Sequence, residues 1–223
     1  LYIIIAGGGV VGRSIASMLS NEHSVVVIDK DFSICEKIYS TYGVISVHGD
    51  ATKIGTLIDA GIQKCDIAIS VMREDSSNLV FALLSKNFGI SSIFVRMHNP
   101  EYENAYKIAG ASNIASSVGM MVEKFVMDIR QPEIRRVASL SGGKAEISIL
   151  TVPLGAKCSG STISEIASSE SFPDDCIIAG IFDSDEDKLI IPRGNRRIFS
   201  SNQVFLVAPS ESIIKAAKFF KKK

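Results

Sequence analysis

Apolar and polar positions in the first half of the chain repeat in one order: a short apolar run, a turn, then apolar residues at three- and four-residue steps. Tyr2 to Ala6 is the first apolar run, and Val11, Ile15, Ala16, Met18 and Leu19 follow at helical spacing. Val25 to Ile28 is the second run, Val44 to Val47 the third, Ile67 to Met72 the fourth, Ile93 to Arg96 the fifth and Asn113 to Ala115 the sixth. Helices are predicted between them at about 53–60 and 77–88, with another starting at Asn99-Pro100-Glu101, where Pro suits a first helical position. In the helix at 77–88, Leu79, Val80, Ala82, Leu83 and Leu84 supply the expected buried side. The apolar runs hardly alternate, which is the mark of strands buried on both faces. Strand and helix in strict turn specify an α/β fold, a Rossmann-like doubly wound parallel sheet with helices on both sides.

The pattern then changes. Ser116-Ser117 caps a helix at about 118–129 that is apolar on most sides: Met120, Met121, Val122, Phe125, Val126, Met127 and Ile129 exceed one buried stripe. Such a helix packs on two surfaces, either as a core helix or as a crossing helix against a second subunit. Residues 131–144, with Pro132, two Arg and Ser-Gly-Gly-Lys, read as a linker between a domain at 1–130 and another at 145–223. The second domain offers strands at Glu146–Val152, Cys176–Phe182, Lys188–Ile191 and Gln203–Val207 and helices at Thr162–Ser168 and Glu211–Lys218. That makes a small α+β module. Asp183 to Asp187 reads as a solvated hairpin loop without calcium-loop spacing.

The chemistry concentrates at the first turn. Gly7-Gly8-Gly9-Val10-Val11-Gly12 links the first strand to the first helix, and Asp29 closes the second strand. Strand, G-x-G-x-x-G, helix, strand and acid form the fingerprint of a dinucleotide-binding βαβ unit. Gly7 permits the sharp turn, Gly9 lets a pyrophosphate approach the backbone, and Gly12 lets helix and strand pack closely. The helix N-terminus presents N–H groups and partial positive charge to phosphate. Asp29 is placed to accept hydrogen bonds from an adenosine ribose, and its charge disfavours a 2′-phosphate.

Ligands of open α/β sheets bind outside the carboxyl ends of the strands. Besides the glycines, these ends carry Asp29-Lys30, Gly49-Asp50-Ala51-Thr52, Met72-Arg73 and Arg96. Asp50 reads either as a helix cap or as an adenine contact. Arg96 ends an otherwise buried strand, where a phosphate contact is favoured over a surface ion pair.

Composition narrows the classes. Of 223 residues, 46% are hydrophobic, so a large core is expected. Lys plus Arg equals Asp plus Glu at 24 each, and no basic block precedes the C-terminal tail, so no nucleic-acid partner is expected. There is no uncharged apolar run long enough to span a bilayer. The opening apolar run lacks a basic leader, which argues against a secretory signal. The four cysteines form no C-x-x-C pair and His is sparse, so reduced structural thiols and no metal site are expected. The basic tail from Lys215 reads as a solvated helix end, with weak attraction to anionic lipid as the sharper alternative.

These motifs, in this order, resemble the RCK/KTN domain of TrkA/KtrA-like potassium-transport regulators, followed by a TrkA-C (RCK-C) module. The resemblance rests on Ile3 to Gly12, Val25 to Asp31, His48-Gly49-Asp50-Ala51-Thr52, Glu74 to Asn78, and Val95-Arg96 with Asn99-Pro100-Glu101-Tyr102. In the second half it rests on Gly160 to Ile166 and Val204 to Ala208. It implies a cytoplasmic regulatory subunit, peripheral at the inner face of the membrane through a Trk- or Ktr-type K⁺ transporter or channel subunit, assembled as a homodimer or higher ring. It further implies that Gly7, Gly8, Gly9, Val10, Val11, Gly12, Asp29, Lys30, Asp50, Ala51, Val71, Met72 and Arg96 line a nucleotide, with the helix at 118–129 as a dimer crossover. NAD(H) is the first choice of ligand, with ADP, AMP or ATP as alternatives. Some ATP-gated relatives carry Arg between the second and third glycines. Here those positions hold Val10 and Val11, and the Arg stands at 13.

Two other classes compete. An NAD-dependent oxidoreductase would need an acid/base group, yet no Tyr has Lys four residues on and the last His is His98. The other is the detached gating-ring domain of a K⁺ channel. Neither needs a different fold, and the expectation is a regulator rather than an enzyme.

Overall fold

The computed structural model describes residues 1–140, 144–183 and 187–221. It divides into two compact units, Leu1–Val122 and Glu123–Lys223.

The first unit alternates strand and helix throughout. Its strands are β1 (Tyr2–Ala6), β2 (Ser24–Asp29), β3 (Ile45–His48), β4 (Ile67–Ser70), β5 (Ser92–Met97) and β6 (Asn113–Ser116). Its helices are α1 (Val10–Leu19), α2 (Phe32–Tyr42), α3 (Ile54–Asp59), α4 (Asp75–Asn87) and α5 (Glu103–Ile108). All strands are parallel, in the order β3-β2-β1-β4-β5-β6. The doubly wound sheet expected from the apolar runs is therefore present. Successive residues of β1 feed opposite cores: Ile3 and Ile5 join Val25, Val27, Ala16 and Ile38 under α1 and α2, while Ile4 and Ala6 join Val26, Ile28, Leu57, Phe81 and Tyr106 on the other face. Burial on both faces explains why the strand reads as an unbroken apolar run.

Three local expectations are corrected. The fourth strand stops at Ser70, two residues early: Val71 still gives its N–H to the Ala6 carbonyl at 2.9 Å, but the Met72 N–H turns to Asn78 Oδ1 at 3.0 Å. In α4 the buried residues are Asp75, Asn78, Phe81, Ala82 and Ser85, while Val80 and Leu83 are exposed. Of the five expected residues, Ala82 is buried and Leu79 and Leu84 pack half-buried against the core, while polar Asn78 and Ser85 take inward positions that Val80 and Leu83 do not. Helix α3 starts at Ile54 with no side-chain cap, so Asp50 is not a helix cap. Its carboxylate instead takes the Thr52 amide at 2.9 Å and hydroxyl at 2.7 Å in a turn.

Helix α6 (Ser117–Arg130) follows β6. Val118, Met120, Met121, Val122, Phe125, Val126 and Ile129 are all exposed on it. Within one chain, then, α6 covers neither of the two surfaces its composition anticipates.

The second unit is built on an antiparallel sheet. Strands β7 (Ile134–Leu140), β8 (Ala145–Thr151), β9 (Ile177–Asp183), β10 (Lys188–Ile190) and β11 (Gln203–Ala208) run in the order β10-β9-β11-β8-β7. Helices α7 (Ile163–Ala167) and α8 (Ser210–Lys221) complete it. Leu150, Ile178, Val204 and Leu206 of the sheet form one core with Ile213, Ala216 and Phe220 of α8. The α+β module is thus as expected, but residues 131–144 are not simply a linker. Half of that stretch is β7, paired with β8 from Ile134↔Leu150 to Leu140↔Ala145. Its charge hid it: Arg136 Nη2 bonds the buried Glu146 carboxylate at 2.6 Å, so an Arg serves an edge strand. The centre of the acidic hairpin loop, 184–186, lies outside the described residues.

All four cysteines are free, with Cys35, Cys158 and Cys176 buried. Burial pushes the Cys176 thiol up to about 12, which keeps it an inert core group. Among the described residues no helix is long and apolar enough to cross a membrane, and no group of His, Cys, Asp and Glu could hold a metal.

Candidate functional site

The strand order reverses between β1 and β4, and the register sets Ala6 beside both Ile28 and Ser70. The carboxyl ends of β1, β2 and β4 therefore open onto one space, the position where doubly wound sheets hold ligands. A cavity of about 630 Å³ lies there, within the range of small-molecule sites. It gathers Gly7, Gly9, Val10, Val11, Asp29, Lys30, Ala51, Val71, Met72 and Arg96 from the sequence reading.

The glycine turn is built as its residue types dictate. Gly7 holds φ +103°, a left-handed conformation that a side chain resists, and its N–H bonds the Ile28 carbonyl at 2.8 Å. A Cβ on Gly9 would meet nothing within 4 Å, so this residue leaves open space for a ligand. A Cβ on Gly12 would overlap the Gly7 carbonyl oxygen, so Gly12 is a packing residue and does not line the cavity. Gly8 also faces elsewhere. Its N–H donates to Asp29 Oδ2 at 2.6 Å, and Asp29 Oδ1 takes the Asp31 N–H at 2.9 Å. Each carboxylate oxygen keeps accepting capacity for an incoming hydroxyl.

Asp50 is the third expected residue that does not line the cavity. It reaches the rim through Lys30, whose Nζ lies 3.3 Å from Asp50 Oδ2. The Thr52 hydroxyl, its amide and the Lys30 ammonium hold Asp50 below the usual carboxylate range, against the effect of desolvation. Asp50 thus orients Lys30. Arg96 lines the opposite wall, with Nε donating to Ser117 Oγ at 3.3 Å.

To Arg73, which the pattern already placed at its strand end, the structure adds Glu74 and Ser77. Arg73, Glu74 and Ser77 line the cavity from the loop and first turn of α4. Behind them, Asn78 is fully buried and joins two strand ends. Its Oδ1 accepts from Ser70 Oγ at 2.5 Å and from the Met72 N–H at 3.0 Å, while Nδ2 donates to the carbonyls of Met72 at 3.2 Å and Arg96 at 3.1 Å. One amide thereby fixes where Met72 and Arg96 enter the cavity. The sequence signal for it was a polar residue at an inward position of α4, next to Phe81 one turn on.

The walls therefore present N–H groups and Arg on one side and an anchored carboxylate on the other. That arrangement suits a ligand with phosphate at one end and a diol at the other.

Known proteins resemble this chain over most of its length. The chain is 30% identical over 96% of its length to the Trk system potassium uptake protein TrkA homolog of Archaeoglobus fulgidus, of which it covers 48%. It is 25% identical over 99% of its length to the protein of that name in Methanothermobacter thermautotrophicus, of which it covers 99%. The chain thus spans about half the length of one curated relative and nearly all of the other. Among solved structures, the GsuK channel bound to NAD superposes with a TM-score of 0.66 at 18% identity, over 99% of this chain and 39% of that one, a likeness of fold. The TrkA-N domain profile matches residues 3–117 and the TrkA-C domain profile residues 147–221, and the chain belongs to the TrkA-N family, with a TrkA-C domain following.

Proposed function

We propose that this chain is a regulatory subunit of a membrane potassium-uptake system, and that it senses NAD(H) or another adenine nucleotide in the cavity at the sheet's carboxyl edge. One observation carries the reading: Asp29, tied to the glycine loop through Gly8, faces the same cavity as Gly9 and Arg96. A carboxylate beside open glycine N–H groups suits an unphosphorylated ribose next to a pyrophosphate, which favours NAD(H) over NADP(H). The TrkA names of the relatives supply the potassium-transport context.

The reading is of a sensor rather than a catalyst. The titratable residues on the cavity are Asp29, Lys30, Asp31, Arg73, Glu74 and Arg96, and its described lining includes no His, Cys or Tyr to shuttle a proton. Nucleotide binding instead shifts the balance between two shapes of a homodimer or ring, and the difference in affinity supplies the gating energy. Helix α6, apolar and exposed, is the surface through which two copies associate. The assembly acts in the cytoplasm, held at the membrane by its transporter or channel partner.

Thermal unfolding with NADH, NAD⁺, ATP, ADP and AMP in turn tests the reading. A ligand at a hundred times its dissociation constant adds about 2.7 kcal/mol of stability. A large shift with one nucleotide, absent in Asp29→Ala, is expected. No shift with any of them sinks the sensor.

A further inference from the structure

A second cavity, of about 200 Å³, opens on the other side of the glycine loop, between α1 and α2. Its lining is Gly8, Arg13, Ile34, Lys37, Ile38 and Tyr42. Gly8 walls it off from the main cavity. A Cβ there would stand 2.7 Å from Ile38 Cδ1 and 2.8 Å from Ile34 Cγ2, so the wall is close-packed, and the Gly8 N–H is already taken by Asp29. Ile34 lines both cavities, while Arg13, Lys37, Ile38 and Tyr42 line only this one.

The charge of this pocket is unbalanced. Arg13 is half-buried on α1 and Lys37 stands on α2. Neither pairs with a carboxylate among the described residues. Their helical neighbours explain why. The residues three and four away from Arg13 are Gly9, Val10, Ala16 and Ser17, and those from Lys37 are Ser33, Ile34, Ser40 and Thr41. None is acidic, so no intrahelical ion pair is available to either. Two cations that share a concave pocket over an apolar floor repel each other and attract a counter-charge more strongly than they would on a flat surface.

We propose that this pocket is a second ligand site, for a compact oxyanion: inorganic phosphate or the phosphate group of a small monoester. The Arg13 guanidinium offers a planar fork of donors, the Lys37 ammonium a mobile charge and the Tyr42 hydroxyl a further donor, a set that suits several oxygens on one centre. Size sets the class. The pocket has about a third of the main cavity's volume and falls below the range that holds drug-sized ligands, which rules out a dinucleotide and leaves room for a phosphate with a few atoms attached. The site stands independently of the nucleotide reading, because neither Arg13 nor Lys37 lines the larger cavity.

Titration calorimetry with inorganic phosphate, at constant ionic strength set with chloride, tests it. Wild type, the double variant Arg13→Gln/Lys37→Gln, the charge reversal Lys37→Glu and the main-cavity variant Arg96→Gln are compared. Saturable binding of one phosphate per chain is expected, weakened at least tenfold by the double variant and by Lys37→Glu and retained by Arg96→Gln. Lys37 is exposed, so its reversal keeps the fold and preserves the test if the double variant unfolds. No saturable binding to the wild type overturns the proposal. So does equal affinity in Lys37→Glu, or loss confined to Arg96→Gln, which would put the phosphate in the main cavity.

Discussion

The Gly8 amide donates to Asp29 Oδ2 across 2.6 Å, so the acid that ends β2 also fixes the glycine turn that follows β1. The same carboxylate is thus a structural acceptor and a cavity wall, and the two roles are separable by substitution. Asp29→Ala removes the acceptor and is expected to cost about 1.5–3 kcal/mol, the usual worth of a hydrogen bond to a charged group. Asp29→Asn keeps an oxygen for the Gly8 N–H, but it loses the charge and sets its NH2 toward the Asp31 N–H that Oδ1 accepts. We expect it to lose less stability and to bind NADPH relative to NADH better than wild type does. Urea unfolding and paired NADH and NADPH titrations check both, and unchanged discrimination in Asp29→Asn would remove Asp29 from the ribose end.

Two glycines of one motif are expected to fail in opposite ways. Gly9→Ala adds a methyl to open space, so stability should stay within about 0.5 kcal/mol while the thermal shift with nucleotide disappears. Gly12→Ala drives a methyl into the Gly7 carbonyl and should destabilise the first unit by about 1–3 kcal/mol or more. Melting curves with and without NADH distinguish them. Equal loss of stability in both variants would mean that Gly9 is a packing residue too.

Asn78 shows where sequence reading stopped. The glycine turn and Asp29 were legible because their spacing alone carries the chemistry, and the parallel sheet was legible because its strands are apolar on both faces. Asn78 was not, because a polar residue on a helix reads as solvent-facing until the strand ends that it satisfies are known. Strand β7 escaped for a related reason: Arg135-Arg136 reads as a linker until Glu146 is seen buried beside Arg136. Each buried group orphaned by Asn78→Ala costs about 1–3 kcal/mol, and Ser70 and the main chain of Met72 and Arg96 all lose a partner. Asn78→Ala should therefore lower stability by at least about 2 kcal/mol and weaken nucleotide binding together. Asn78→Asp keeps the acceptor but turns a buried carboxylate oxygen onto the Met72 and Arg96 carbonyls, so it should be at least as destabilising as Asn78→Ala. A wild-type urea midpoint in Asn78→Ala would mean that the strand ends hold themselves.

The exposed face of α6 predicts self-association. Ile129 is 80% exposed, and it shares the helix with exposed Phe125, Val122 and Met121. A chain rarely leaves so contiguous an apolar patch in water unless a partner covers it. Light scattering at tens of micromolar should find a dimer or larger species, and Phe125→Glu/Ile129→Glu should shift it toward monomer without changing the melting of the first unit. A wild-type monomer at that concentration would exclude the crossing-helix role.

Asp75 sets the acid limit of the same edge. It begins α4, is 8% exposed, and takes the N–H groups of His98 at 3.0 Å and Asn99 at 2.8 Å and the Tyr106 hydroxyl at 2.8 Å. Desolvation works to raise its pKa, but these donors outweigh it and the net shift is downward from 3.8. Burial and the Asp75 charge push the Tyr106 phenol well above its usual range, so it remains a donor at every pH of interest. A carboxylate whose native pKa lies below its unfolded value stabilises the fold fully above the unfolded value, and that stability is lost as pH falls through the native one. Wild type should therefore weaken from about pH 4 downward. Asp75→Asn keeps one oxygen for part of this donor set and sets its NH2 against the rest, so it should be less stable at pH 7 by about 1.5–3 kcal/mol and show a shallower acid limb. Urea midpoints measured from pH 7 to pH 2.5 decide it. Parallel curves for the two proteins would mean that the acid limb belongs to other carboxylates and that Asp75 is held by geometry rather than charge.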